Sequence, residues 1–268
     1  MEKLLGEQLL KYISDPSAVT EVRLRAGKKT VIKTYEKEYL CEHIATEGYL
    51  KEVVMRAVKF SPYAYETEVS SGFIPYAGGI RIGVAGKGKL SSDNKICFSE
   101  IVSLCVRIPH EICGASNVLG DFYTVPKNII IIAPPCCGKT TLIRDMARVL
   151  SERYDTLYID ERGELSAGGV LTVGKRADVI HGIPKKYLYE NVIRAMAPKI
   201  VVCDELFSSE DICAVKRLCD AGIKCIASYH APSAKQIPEE IKDIFDQYVV
   251  LTDKPRVGTI SARGCFRD

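Results

Sequence analysis

The chain has no run of about 20 apolar residues, so nothing in the sequence suggests a membrane-spanning helix. It has no Cys-x-x-Cys pair and no Cys/His cluster at zinc spacing, which argues against the common small metal-site frameworks. Neither charge dominates. Subtracting 34 acidic from 37 basic residues leaves +3, too little to require nucleic acid or an anionic membrane as partner. Internal repeats and low-complexity tracts are also absent. Met1 to Gly6 lead into mixed sequence instead of an apolar signal region, so the expectation is a cytoplasmic protein without membrane insertion, able to dock on a membrane complex. In that compartment the eleven cysteines, spread from Cys41 to Cys265, are expected to be reduced thiols serving as small apolar residues.

With 268 residues, 47% hydrophobic and 26% charged, the chain can bury a full core in one large or two modest domains. The pattern changes near residue 120, which predicts domains at 1–120 and 121–268. In the first, Glu21-Val22-Arg23-Leu24-Arg25 alternates like a strand, with its turn at Ala26-Gly27-Lys28. Tyr49 to Phe60 places Leu50, Val53, Val54, Ala57 and Val58 at helical spacing, and Ser61-Pro62 ends the helix. Gly72 to Gly86 reads as two antiparallel strands around Gly78-Gly79, and Ser103 to Ile108 as a further strand. After residue 128 apolar strands at 129–132, 156–159, 200–203, 224–227 and 248–251 alternate with helices at 140–150, 189–196, 210–219 and 234–245. Such alternation predicts an α/β domain with a parallel sheet covered on both faces, its functional groups at the carboxyl ends of the strands.

The strongest local signal is Ala133-Pro134-Pro135-Cys136-Cys137-Gly138-Lys139-Thr140-Thr141, placed between a strand and an amphipathic helix. This is the order a phosphate cradle requires. Backbone N–H groups of Cys136 to Lys139 and the positive end of the helix would hold phosphate oxygens. Lys139 would reach the β- and γ-phosphates of ATP, and the Thr140 hydroxyl would ligate Mg²⁺. Ala133 stands where the motif usually has its first glycine; if that position requires positive φ, alanine costs about 1 kcal/mol or more.

Ile200-Val201-Val202-Cys203-Asp204-Glu205 is an apolar strand ending in two acids. Asp204 would hold Mg²⁺, and Glu205 would polarise the attacking water. A second acidic end, Tyr158-Ile159-Asp160-Glu161-Arg162-Gly163-Glu164, brings Asp160 or Glu161 toward the same place. His230 follows the strand at 224–227, where it could sense a γ-phosphate. His43, His110 and His181 have no comparable setting.

This order of P-loop, acidic box, Asp-Glu pair and histidine box resembles the secretion-type ATPases of type II secretion and type IV pili. Glu21–Gly27, Gly78–Gly86, Asp160–Glu164, Arg176–Val179 and Ile193–Pro198 narrow the resemblance to the stage III sporulation protein AA family, along nearly the whole chain. The resemblance implies a RecA-like P-loop ATPase domain behind a smaller N-terminal α+β, PAS-like domain. It further implies a hexameric ring on the mother-cell side of a sporulation channel, with the channel's membrane proteins as partners. Arg81 and Arg107 match two strand arginines and Arg194 a helix arginine that complete the nucleotide site in such rings, where a guanidinium neutralises developing phosphate charge. Two features depart from the family: Leu206-Phe207-Ser208-Ser209 carries no arginine after the Asp-Glu pair, and the loop at 166–176 is short. These departures and Ala133 motivate an alternative, a nucleotide-binding structural component with vestigial hydrolysis. The fold class and the basic runs Lys28-Lys29 and Lys185-Lys186 motivate another, a motor on nucleic acid, although no nucleic acid is expected.

Overall fold

A computed structural model describes residues 1–59, 61, 73–90, 96–161, 163–167, 171–188 and 192–266. Of the segments read above, Phe60, Pro62, Gly72, Arg162, part of the 166–176 loop, residues 189–191 and the side chain of Lys186 lie outside the described residues. The chain folds as two units, Met1–His110 and Glu111–Asp268.

The first unit opens with two short helices, α1 (Glu2–Leu5) and α2 (Glu7–Leu10), followed by strands β1 (Val19–Arg25), β2 (Lys29–Thr34) and β3 (Glu38–Ile44). Helix α3 (Glu47–Ala57) and strands β4 (Phe73–Tyr76), β5 (Ile80–Leu90) and β6 (Ile96–Arg107) complete it. The sheet runs β3-β2-β1-β6-β5-β4, and every pairing is antiparallel. Leu4, Leu5 and Leu9 join Leu50, Val53 and Val54 in a core with Val22, Leu24, Ile82 and Leu104 from the strands. The Thr46 hydroxyl caps α3 by accepting from Tyr49 N at 3.1 Å. The Tyr49 hydroxyl then donates to Leu5 O at 2.7 Å, tying α3 to α1. Between β4 and β5, Gly78 and Gly79 adopt φ of 79° and 69°, the left-handed turn that only glycine adopts readily. The β2–β3 hairpin goes unread in the sequence because its polar residues mask the alternation.

In the second unit, strands β7 (Ile129–Ile132), β8 (Thr156–Asp160), β9 (Ala177–His181), β10 (Ile200–Glu205), β11 (Lys224–Tyr229), β12 (Gln247–Thr252) and β13 (Thr259–Cys265) form one sheet. Its order is β13-β12-β7-β11-β10-β8-β9, parallel except for the β12–β13 pair. Helices α4 (Lys139–Leu150), α5 (Val192–Met196), α6 (Ser209–Asp220) and α7 (Glu239–Lys242) complete the alternation. Strand β7 is fully buried: Ile130 and Ile132 enter one apolar cluster, Ile129 and Ile131 the other, so both faces are covered.

Several boundaries differ from the sequence reading, among them the start of the strand read at 103–108, which is Ile96. Residues 111–120 belong to the second unit, because buried Asp145 on α4 accepts from Gly114 N at 3.0 Å, Ser116 N at 2.8 Å and Ser116 Oγ at 2.6 Å. The helix expected at 234–245 is a 3-10 turn at Ala234–Gln236 followed by α7. Pro238 interrupts it, since proline supplies no amide N–H and disfavours helix at the residue before it.

Candidate functional site

The carboxyl end of β7 leads directly into the loop 133–138 and then α4. Ala133 is fully buried and donates its N–H to Tyr229 O at 3.3 Å. The positive φ values of the loop fall at Cys136 (61°) and Gly138 (85°). Residue 133 is therefore not a positive-φ position, and the condition under which alanine would be costly there is not met: the left-handed turns lie three and five residues later. Gly138 is the N-cap of α4 and offers no side-chain cap, leaving the first amides of the helix to the cradle. The helix forms because Leu142, Ile143, Met146, Ala147 and Leu150 share one buried face.

Lys139 is 7% exposed, and its ammonium donates to Ala133 O at 3.0 Å and Pro134 O at 2.9 Å. Its Nζ also lies 2.9 Å from His230 Nδ1. His230 Nε2 lies 2.8 Å from Glu205 Oε1. A protonated Lys139 makes Nδ1 the acceptor, which leaves Nε2–H to donate to Glu205. Burial pulls the Lys139 pKa down, and the Glu205 carboxylate opposes that pull.

Asp204, 6% exposed, has its pKa pushed up to about 6, first by burial and then by the charges of Glu164 and Asp160. A cavity of about 450 Å³ gathers these groups: Pro135 to Thr141, Glu164, Asp204, Glu205, Ser228, His230 and Val257 all line it. The Thr140 hydroxyl with the carboxylates of Asp204 and Glu164 is a hard-oxygen set of the kind that would hold Mg²⁺.

The acidic loop is arranged differently from the sequence expectation. Asp160 is wholly buried, and its Oδ1 accepts from Glu164 N at 2.7 Å and Leu165 N at 3.0 Å. Its Oδ2 accepts from Ser166 N at 2.9 Å and Ser166 Oγ at 2.8 Å. Asp160 is thus the organiser of the 163–166 turn, a correction to its reading as a catalytic acid, because four donors consume its oxygens. Glu161 turns to Lys185, at 2.9 Å. Glu164, overlooked as a site residue, lines the cavity instead. Arg144 holds it there, donating to Glu164 O at 2.7 Å and Leu165 O at 2.8 Å. Arg144, one of two arginines on the P-loop helix, was the available signal.

The family model for sporulation stage III, protein AA, matches residues 1–266. The chain belongs to that family. It is similar to stage III sporulation protein AA of Bacillus subtilis (strain 168), 30% identical over 266 residues that cover 91% of this chain and 85% of that protein. Its fold is similar to that of two solved proteins. The pilus retraction motor PilT, solved with bound ADP, matches with a TM-score of 0.63 and 14% identity, covering 91% of this chain and 76% of that one. The Legionella pneumophila ATPase DotB matches with a TM-score of 0.59 and 14% identity, covering 91% and 74%.

The three arginines singled out for this family fall in different places. Arg81 and Arg107 pair across β5 and β6 in the first unit. Arg107 lies 3.5 Å from Glu21, and the Arg81 guanidinium stands 5.0 Å from the Phe73 ring centre. Arg194 sits on α5, which feeds the amino end of β10, whereas the cradle follows the carboxyl end of parallel β7. It lines a separate cavity with Ile193, Arg217, Leu218 and Ile223, apart from the one that Lys139 and Asp204 line. The segment after Glu205, which carries no arginine, starts the next helix. Ser208 caps α6, exchanging hydrogen bonds with Asp211, and Phe207 is left 82% exposed. The basic runs lose their force too, since Lys29 pairs with Glu42 at 2.7 Å and Lys185 is buried against Glu161. Among the described residues, no helix is long and apolar enough to cross a membrane.

Proposed function

We propose that this protein is a Mg²⁺-dependent ATPase of the secretion type, assembled as a hexameric ring that powers or gates the mother cell-forespore channel from the mother-cell cytoplasm. The observation that carries the reading is the run of contacts from Lys139 through His230 to Glu205 at the mouth of a P-loop. The bound ADP of PilT supports a nucleotide as ligand.

In this reading the amides of Cys136 to Lys139 hold the phosphates, with Pro134, Pro135 and Thr141 shaping the loop. Lys139 exchanges His230 for a phosphate oxygen while keeping its two carbonyl acceptors. Thr140 and Asp204 would hold Mg²⁺, with Glu164 beside them. Bound there, Mg²⁺ neutralises charge on the β- and γ-phosphates. Glu205 orients the attacking water and takes its proton, and His230 keeps Glu205 aimed. Arg81 and Arg107 of a neighbouring copy would neutralise charge developing at the γ-phosphate.

The direct test compares ATP hydrolysis by the wild-type protein, Lys139→Ala and Glu205→Gln, with the assembly measured by light scattering. Near-total loss in both variants is expected. Equal rates for wild type and Lys139→Ala, or no nucleotide binding by the wild type, would sink the proposal.

A further inference from the structure

We infer that the hairpin joining β12 to β13, residues 253–258, is the base-recognition lip of the nucleotide site, with Val257 as the side chain on which a purine packs. This rests on the nucleotide reading of residues 133–141 and adds to it the end of the ligand that the phosphate motif does not touch.

The sheet order gives the site a polarity. His230 follows β11, Asp204 and Glu205 end β10, and Glu164 follows β8, so all of these groups lie on one side of β7. The γ-phosphate and a cation belong with those carboxylates. A nucleotide seated on the loop then extends its base to the other side of β7. There β12 is the neighbouring strand, about 5 Å away, and its carboxyl end runs into the 253–258 hairpin.

The hairpin also touches the cradle. A Cβ placed on Gly138 would lie 3.4 Å from the Gly258 Cα and 3.6 Å from the Val257 Cγ1. Both positions are glycine, at φ of 85° and 83°, the left-handed region that a side chain rarely adopts. Val257 lines the same cavity as Lys139 and Asp204, yet it is an apolar side chain left 60% exposed. It is held in place. Thr259 N and Oγ1 donate to Arg256 O at 3.2 and 2.7 Å, and Lys254 N donates to Thr252 Oγ1 at 3.3 Å. A rigid apolar ledge beside a phosphate cradle is suited to the flat face of a base, because burying both surfaces removes them from water without demanding a hydrogen bond.

The experiment measures binding of MgADP and of magnesium tripolyphosphate, which has phosphates but no base, to the full chain by calorimetry. Val257→Ser is expected to weaken MgADP about fivefold and to leave tripolyphosphate unchanged, because only the base loses its contact. Val257→Phe offers a larger stacking face and is expected to tighten MgADP about threefold, again without effect on tripolyphosphate. Since one variant is expected to gain affinity, a general folding defect cannot imitate the pair. Parallel changes for both ligands, or no change for either, overturn the lip. Wild-type protein that binds tripolyphosphate as tightly as MgADP also overturns it while keeping the cradle. Wild-type protein that binds neither ligand overturns the nucleotide reading beneath it.

Discussion

Lys139 Nζ lies 2.9 Å from His230 Nδ1 across 91 residues of sequence. With two carbonyl acceptors besides, the ammonium has three partners, and the histidine is the one a phosphate oxygen can replace. His230→Ala is therefore expected to leave MgADP affinity within about threefold while lowering the turnover number about tenfold or more, because Glu205 loses its orienting donor. Steady-state kinetics and calorimetry separate the two. A loss of affinity as large as that of Lys139→Ala would show that the histidine serves binding instead.

Asp204 makes the site pH-dependent. Its folded pKa, about 6, is raised from 3.8, so the folded protein holds this proton more tightly than the unfolded chain. The stabilisation this group contributes is full below about pH 3.8 and is lost as pH rises through about 6. Ligation of Mg²⁺ needs the carboxylate, so affinity runs the other way: MgADP should bind about tenfold more weakly at pH 5 than at pH 7.5 on account of this group. Asp204→Asn should bind weakly at both pH values, with a flatter profile, which titration calorimetry at each pH checks. An unchanged slope in the variant would assign the pH dependence to other groups.

Asp160 and Glu164 should separate stability from turnover. Asp160→Asn presents an amide where backbone donors need acceptors, and is expected to destabilise the second unit by about 1–3 kcal/mol. Glu164→Gln keeps the turn and should melt like wild type while hydrolysing ATP more slowly. Thermal melts and initial rates on both variants decide the point, and the assignment fails if the two patterns are reversed.

Residues 133 and 138 should respond differently to substitution. Ala133→Gly restores the familiar motif, but 133 is not a left-handed position, so turnover should stay within about twofold while stability drops by about 1 kcal/mol. Gly138→Ala introduces a Cβ at φ 85° against the hairpin backbone and should cost about 1–3 kcal/mol along with nucleotide affinity. A large rise in activity for Ala133→Gly would revive the vestigial reading.

Residues 133–141, the acids at 204–205 and the alternation of strand and helix were legible in the sequence because each is local. A tight loop needs small or turn-forming residues, a buried parallel strand reads as an apolar run, and a P-loop lysine must follow its glycine directly. Other strings, among them Glu21–Gly27, Gly78–Gly86 and Ile193–Pro198, carried the family. Other features were decided by tertiary structure. Side chains at a strand end alternate in direction, so Asp160 turned inward to organise its own loop and Glu164 came to face the cradle. Parallel strands put every entering helix at the amino end, which carried Arg194 away from the site despite its place in the motif series. The meeting of Lys139 with His230, and of Gly138 with Gly258, depends on which strands flank β7. Strand order comes from packing across the whole sheet, and no short stretch of sequence encodes it.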